Sequence, residues 1–130
     1  MQALATSLDG KRVLIVEDEY LIGSDLRRIV ERAGAKAYGP LDDPLAAQQM
    51  IERYPIDLAL LDFRLHHADS IEIARVLKSH GVPYVVVTGY ARHALPEEMQ
   101  HAPYVQKPVR AGLLIDLMTG ALAENTSRPT

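Results

Sequence analysis

Short apolar runs, each stopping at a polar residue, recur along this chain. Val13-Leu14-Ile15-Val16 stops at Glu17-Asp18, and Leu58-Ala59-Leu60-Leu61 stops at Asp62. Val85-Val86-Val87 stops at Thr88-Gly89, and Tyr104-Val105-Gln106 stops at Lys107-Pro108. Brief apolar, β-branched runs without alternation read as strands buried on both faces of a parallel sheet. The pattern predicts strands over Arg12–Glu17, Asp57–Asp62, Pro83–Thr88 and Tyr104–Gln106, with a weaker edge strand at Ala35–Gly39.

Between the runs the apolar spacing becomes helical. Ile22, Leu26, Ile29, Val30 and Ala33 share one face, and Gly34 is a natural stop. Asp43-Pro44 is an N-cap followed by proline at the first helical position, opening a helix that buries Ala47, Met50, Ile51 and Tyr54. Arg64 to Ala68 reads as loop. Asp69 and Glu72 have capping-box spacing and open a helix through Ile73, Ala74 and Leu77 to Gly81. A last helix runs from Arg110 to Ala123, with Leu114, Leu117, Met118 and Ala121 on one face.

Five strand-helix repeats predict an α/β domain with helices on both faces of a five-stranded parallel sheet. The expected strand order is 2-1-3-4-5, the flavodoxin-like arrangement. One repeat is short. Only fifteen residues separate Thr88 from Tyr104, and Pro96 and Pro103 are among them. The fourth helix is therefore expected to be short, and Gly89 to Ala102 mobile. Met1 to Gly10 reads as a lead-in, 11–123 as the domain and 124–130 as a flexible tail.

Composition narrows the picture. At 130 residues the chain fits one domain. A net charge of −3 gives no case for nucleic acid as a direct partner. No apolar run approaches the roughly 20 residues needed to span a bilayer, and the first residues lack a signal peptide's apolar core. With no cysteine, disulfides and thiolate metal sites are excluded, which fits a cytoplasmic location.

In a parallel sheet of this order the carboxyl ends of the strands share one edge, where ligands bind. Glu17, Asp18, Asp62, Thr88 and Lys107 would meet there. Converging carboxylates repel one another unless a proton or a cation intervenes, and Mg²⁺ (or Mn²⁺) favours such oxygen donors. Asp18 and Asp62 are expected as direct ligands, the Arg64 backbone carbonyl as a third, and Glu17 directly or through water. Asp62 is then a nucleophile able to form an aspartyl phosphate. Lys107 and the Thr88 hydroxyl are placed to receive the phosphoryl oxygens.

The chain resembles the receiver domain of two-component response regulators. The resemblance rests on Val16-Glu17-Asp18-Glu19, Leu60-Leu61-Asp62-Phe63-Arg64-Leu65, Val87-Thr88-Gly89-Tyr90 and Tyr104-Val105-Gln106-Lys107-Pro108, and covers Lys11 to Leu122. It implies Glu17 and Asp18 in the acid pocket, Asp62 as phosphoacceptor, Thr88 as switch hydroxyl and Lys107 as the pocket lysine. It also implies Tyr104 as an aromatic switch, Arg64 and Tyr90 as tuners of phosphoryl lifetime, and a cis peptide bond before Pro108. Val82-Pro83-Tyr84-Val85-Val86-Val87-Thr88-Gly89-Tyr90 with Leu95-Pro96-Glu97-Glu98 is similar to a stand-alone subgroup bearing a Phe-Ala-Thr-Gly motif, with Val86-Val87 in place of Phe-Ala. The family's common proline and glycine after the phosphoacceptor are here His66 and Ser70.

The expected function is to accept a phosphoryl group from a sensor histidine kinase. The signal would pass by contact to a downstream protein target or a phosphotransfer protein, as a monomer or a phosphorylation-dependent dimer. No second domain is expected after Ala123, and no catalysis beyond self-phosphorylation and autodephosphorylation. The alternative is a receiver-like binding module that works without phosphorylation. A phosphatase of the Asp-x-Asp type is disfavoured, because Arg64 stands where the second carboxylate would be. His66-His67 reads as exposed loop, since adjacent histidines point apart and no second ligand pair has metal spacing.

Overall fold

A computed structural model describes residues 8–127. Its main sheet is parallel, with β1 (Arg12–Val16) between β2 (Lys36–Leu41) and β3 (Leu58–Leu61). Beyond β3 lie β6 (Tyr84–Thr88) and β7 (Tyr104–Gln106), giving the order β2-β1-β3-β6-β7. Counted along the main sheet, this is the expected 2-1-3-4-5 order. A separate two-stranded antiparallel hairpin, β4 (Arg64–Leu65) with β5 (Ala68–Asp69), follows β3.

Strand side chains alternate between two apolar layers. Val13, Ile15, Leu58, Leu60, Val85 and Val87 pack with Leu26 and Val30 of α1 (Tyr20–Arg32) and with Leu114 and Met118 of α4 (Ala111–Ser127). Leu14, Val16, Ala59, Leu61 and Val86 face the other way. They meet Ala47 and Ile51 of α2 (Pro44–Arg53) and Ile73, Ala74 and Leu77 of α3 (Ile71–Ser79). The central strands are apolar on both faces because both faces are covered by helices. Among the described residues no helix is long and apolar enough to cross a membrane.

Several boundaries differ from the sequence reading, each for a local reason. β2 runs on to Leu41 because Gly39, at φ +111°, lets the strand bulge past Ile15. A Cβ at Gly39 would lie 2.5 Å from the Ile15 carbonyl oxygen, so only glycine fits. The stretch read as loop, Arg64 to Ala68, contains most of the β4–β5 hairpin. The predicted capping box is displaced by one residue: Ser70 is the N-cap of α3. Both the Ser70 amide and its hydroxyl donate to the Phe63 carbonyl, while Asp69 Oδ1 accepts from the Ile71 amide at 3.0 Å. Asp43 does cap α2, accepting from the Ala46 amide. Tyr54, expected in the core, is exposed against Tyr38, with ring centroids 6.0 Å apart.

At the amino end the expected lead-in is partly core. Leu8 is fully buried, and the Gly10 amide donates to the Gly34 carbonyl. Residues 1–7 of that segment lie outside the described residues. At the other end α4 continues past Ala123 to Ser127, and 128–130 lie outside.

The short repeat holds no α-helix. It contains two 3-10 turns, Arg92–Ala94 and Glu97–Met99, with Leu95 and Met99 buried. Polar cross-links tie the segment to itself. Arg92 Nη1 donates to the Gln100 and Ala102 carbonyls, and Gln100 Nε2 donates to those of Arg92 and Leu95. The Arg92 guanidinium also lies over the Tyr104 ring, 4.8 Å from its centre. Arg92→Ala removes two hydrogen bonds and a cation-π contact, each worth about 1 kcal/mol. The expected result is at least about tenfold faster amide exchange at Met99 and Ala102, with α3 unchanged, read by hydrogen-exchange mass spectrometry.

Candidate functional site

Backbone hydrogen bonds at the carboxyl edge of the sheet place each polar side chain. The Glu17 amide donates to the Leu41 carbonyl at 2.9 Å, so the β2 bulge fixes where β1 ends. The Asp62 amide donates to the Val16 carbonyl at 3.1 Å, and the Lys107 amide to the Thr88 carbonyl at 2.8 Å. Strand pairing thus brings four sequence-distant segments to one rim.

The Lys107 ammonium lies at the centre. Its Nζ is 2.9 Å from Glu17 Oε1, 2.9 Å from Asp62 Oδ2 and 3.2 Å from Glu19 Oε1. The side chains of Glu17, Asp62 and Lys107 are all nearly inaccessible to solvent. Burial opposes the charge on Lys107, but the Glu17 and Asp62 carboxylates outweigh it and raise the lysine's pKa. Burial acts on Glu17 as well. It lifts that carboxyl from 4.5 to about 7, against the lowering influence of Lys107 and of the Glu19 amide. That amide donates to Glu17 Oε2 at 3.1 Å. Glu17 Oε1 is close to Lys107 but off hydrogen-bonding geometry, and it accepts no hydrogen bond.

Glu17, Asp18 and Asp62 each present a carboxylate oxygen, all within 4.8 Å of one another. Three hard oxygen donors, one of them a buried oxygen without a hydrogen bond, fit a divalent cation of the Mg²⁺ or Mn²⁺ kind. Arg64, expected to add its carbonyl, opens β4 two residues beyond Asp62.

Thr88 is fully buried at the end of β6, and its Oγ1 accepts from the Tyr90 amide at 3.4 Å. Phe63 joins the two expected lifetime tuners. The Arg64 guanidinium lies 5.1 Å from the centre of its ring, and Tyr90 packs edge-on at 5.7 Å. The Tyr104 hydroxyl donates to the Tyr90 carbonyl, and Gln106 Nε2 donates to that of Gly89. The expected switch tyrosine is therefore bonded to the segment that follows Thr88. The Lys107-Pro108 bond is cis, and so is Gly39-Pro40.

Two site residues escaped the sequence reading. Glu19 reaches Lys107 with its side chain, and His66 Nδ1 lies 3.2 Å from Asp18 Oδ2. His66 remains largely exposed, as expected, but it is the outer neighbour of the acid trio.

Comparison with known proteins gives the site its context. The family model of the response regulator receiver domain matches residues 13–119. The transcriptional regulatory protein PdtaR of Mycobacterium tuberculosis is 32% identical over 109 residues, 81% of this chain and 53% of that protein. The chain spans about half the length of this relative and 42% of a response regulatory protein of Yersinia pestis that is 33% identical over 101 residues. The solution structure of SdrG from Sphingomonas melonis Fr1 is 30% identical, with a TM-score of 0.74, covering 90% of this chain and 97% of that one. The receiver domain of Erythrobacter litoralis PhyR superposes with a TM-score of 0.82 at 24% identity, covering 95% and 98%. The acid trio, the central lysine, the sheet order and the matched residues together place the chain: it belongs to the response regulator receiver domain family.

Proposed function

We propose that Asp62 accepts a phosphoryl group from the phosphohistidine of a sensor histidine kinase. The observation that supports this most is the Lys107 ammonium held 2.9 Å from Asp62 Oδ2 within a cluster of three carboxylates. An Asp62 oxygen attacks phosphorus, and the bond from phosphorus to the donor imidazole nitrogen breaks. The electron pair stays on that nitrogen, which takes up a proton. The product is an acyl phosphate on Asp62.

A cation such as Mg²⁺ or Mn²⁺, held by Glu17, Asp18 and Asp62 with the Arg64 carbonyl, would neutralise charge on the transferring group. Lys107 follows the new phosphoryl oxygens, and the Thr88 hydroxyl turns to donate to one of them. Because the Tyr90 amide now bonds to that hydroxyl, its movement disturbs the segment tied to Tyr104. A local change of charge thereby alters an outer surface. Arg64 and Tyr90, packed on Phe63, would shield the acyl phosphate from water and lengthen its lifetime.

In this reading the protein signals by contact with a downstream target or a phosphotransfer protein in the cytoplasm, alone or as a phosphorylation-dependent dimer. Its only chemistry is on itself. Incubation with a phosphorylated kinase in Mg²⁺ buffer is expected to add one phosphoryl mass increment, mapped to Asp62 by borohydride reduction and peptide sequencing. EDTA should prevent it. A protein that never gains the increment, or gains it elsewhere, ends this reading.

A further inference from the structure

Glu19 has no part in the acid trio, yet its carboxylate is turned toward the same lysine. It is the N-cap residue of α1, but its side chain makes no capping hydrogen bond. Oε1 instead accepts from Lys107 Nζ at 3.2 Å, while the side chain stays 56% exposed at the mouth of the pocket. Glu17, Asp18 and Asp62 are the three carboxylates that would share a divalent cation. Glu19 is the carboxylate left over.

We infer that Glu19 is a specificity-determining residue that selects phosphodonors by charge and holds back free dianionic phosphates such as acetyl phosphate. The inference rests on Asp62 being the phosphoacceptor. A donor approaching Asp62 must pass beside Lys107, where it meets the exposed Glu19 carboxylate. Repulsion grows in proportion to the donor's charge. A dianion is therefore disfavoured about twice as strongly, on a logarithmic scale, as a monoanion. A donor group carried by a protein escapes this penalty where the partner brings a cation opposite Glu19.

Two small donors separate the cases near neutral pH. Acetyl phosphate is a dianion; on transfer its phosphorus-oxygen bond breaks and acetate leaves with the electron pair. Phosphoramidate carries a net single negative charge; its phosphorus-nitrogen bond breaks and ammonia leaves. Glu19→Gln keeps the shape and the acceptor for Lys107 but removes the charge. At low salt and limiting donor, it is expected to speed uptake from acetyl phosphate about fivefold to tenfold and from phosphoramidate about twofold to threefold. Both gains should shrink in 0.5 M salt, roughly as surface charge is screened.

Equal factors for the two donors, no change, or a loss with both would overturn the inference. A wild type and Glu19→Gln variant that accept phosphate from a kinase but from neither small donor would overturn it too. Glu19→Ala adds a control, since it also removes the acceptor for Lys107. If Gln behaves as wild type and Ala slows both donors alike, Glu19 only positions the lysine and the inference fails. No phosphoryl mass on Asp62 from any donor, kinase included, would instead end the phosphoacceptor reading itself.

Discussion

Replacing Lys107 by alanine is expected to slow phosphoryl uptake by Asp62 about 100-fold or more, the usual cost of removing a group aimed at developing charge. It should also destabilise the fold in a way that depends on pH. The ammonium faces Glu17 and Asp62 at 2.9 Å, both buried. Removing one partner of a buried ion pair ordinarily costs about 3–5 kcal/mol, because a charge is stranded. Here Glu17 has an exit. Its carboxyl titrates near 7 even with Lys107 lowering it, so without the lysine it holds its proton more tightly still. At pH 6 Glu17 is protonated in both proteins, so the loss there comes from stranding the buried Asp62. By pH 8 the wild type has released the Glu17 proton, while the variant still holds it. The loss should therefore be larger at pH 8 than at pH 6 by up to about 1.4 kcal/mol, the worth of one pH unit. Urea denaturation in EDTA at pH 6 and 8 measures both values. An equal loss at the two pH values would mean that Lys107 does not set the charge state of Glu17.

The strands and the core of this site were legible because buried parallel strands leave an unmistakable pattern. Apolar runs such as Leu58–Leu61 fix where each strand stops, and the polar residue after each stop falls on a shared edge. Asp62 and Lys107 could be paired for that reason, although 45 residues separate them. What stayed hidden depends on contacts with no local signature. Glu19 looks like an ordinary acidic residue at a helix start; its partner lies 88 residues away. Leu8 stands between Ser7 and Asp9 with no periodicity to mark it as core. Two-residue strands such as Arg64–Leu65 and Ala68–Asp69 are too short for alternation to register. The bulge at Gly39 is a matter of backbone approach to Ile15, which composition does not encode. The short fourth repeat was foreseen from its length and prolines, but not its replacement of a helix by Arg92 and Gln100 cross-links.

If the acid trio holds a cation as proposed, the raised pKa of Glu17 couples the fold to that cation through a proton. Folding lifts this carboxyl from 4.5 to about 7, so between those values the folded protein holds a proton that the unfolded chain has lost. Stability contributed by Glu17 therefore falls as pH rises through that window, by about 3 kcal/mol at 1.36 kcal/mol per pH unit, and levels off above it. Glu17→Gln, a mimic of the protonated form, should lie within about 1 kcal/mol of the wild type at pH 5 in EDTA. At pH 8 it should be more stable by about 3 kcal/mol. Mg²⁺ reverses the order. It needs the carboxylate, so its affinity should weaken about tenfold for each pH unit below 7 and stay level above, with about one proton released per ion bound at pH 6. At pH 8 and a Mg²⁺ concentration about 100 times Kd, the wild type should gain about 2.7 kcal/mol. The variant, short of one donor, should gain much less. Denaturation curves across pH 5–8 with EDTA or Mg²⁺, beside calorimetric titration of the ion, resolve these contributions. Mg²⁺ affinity that stays constant from pH 6 to 8 would remove Glu17 from the cation's ligands and leave its buried oxygen to Lys107 alone.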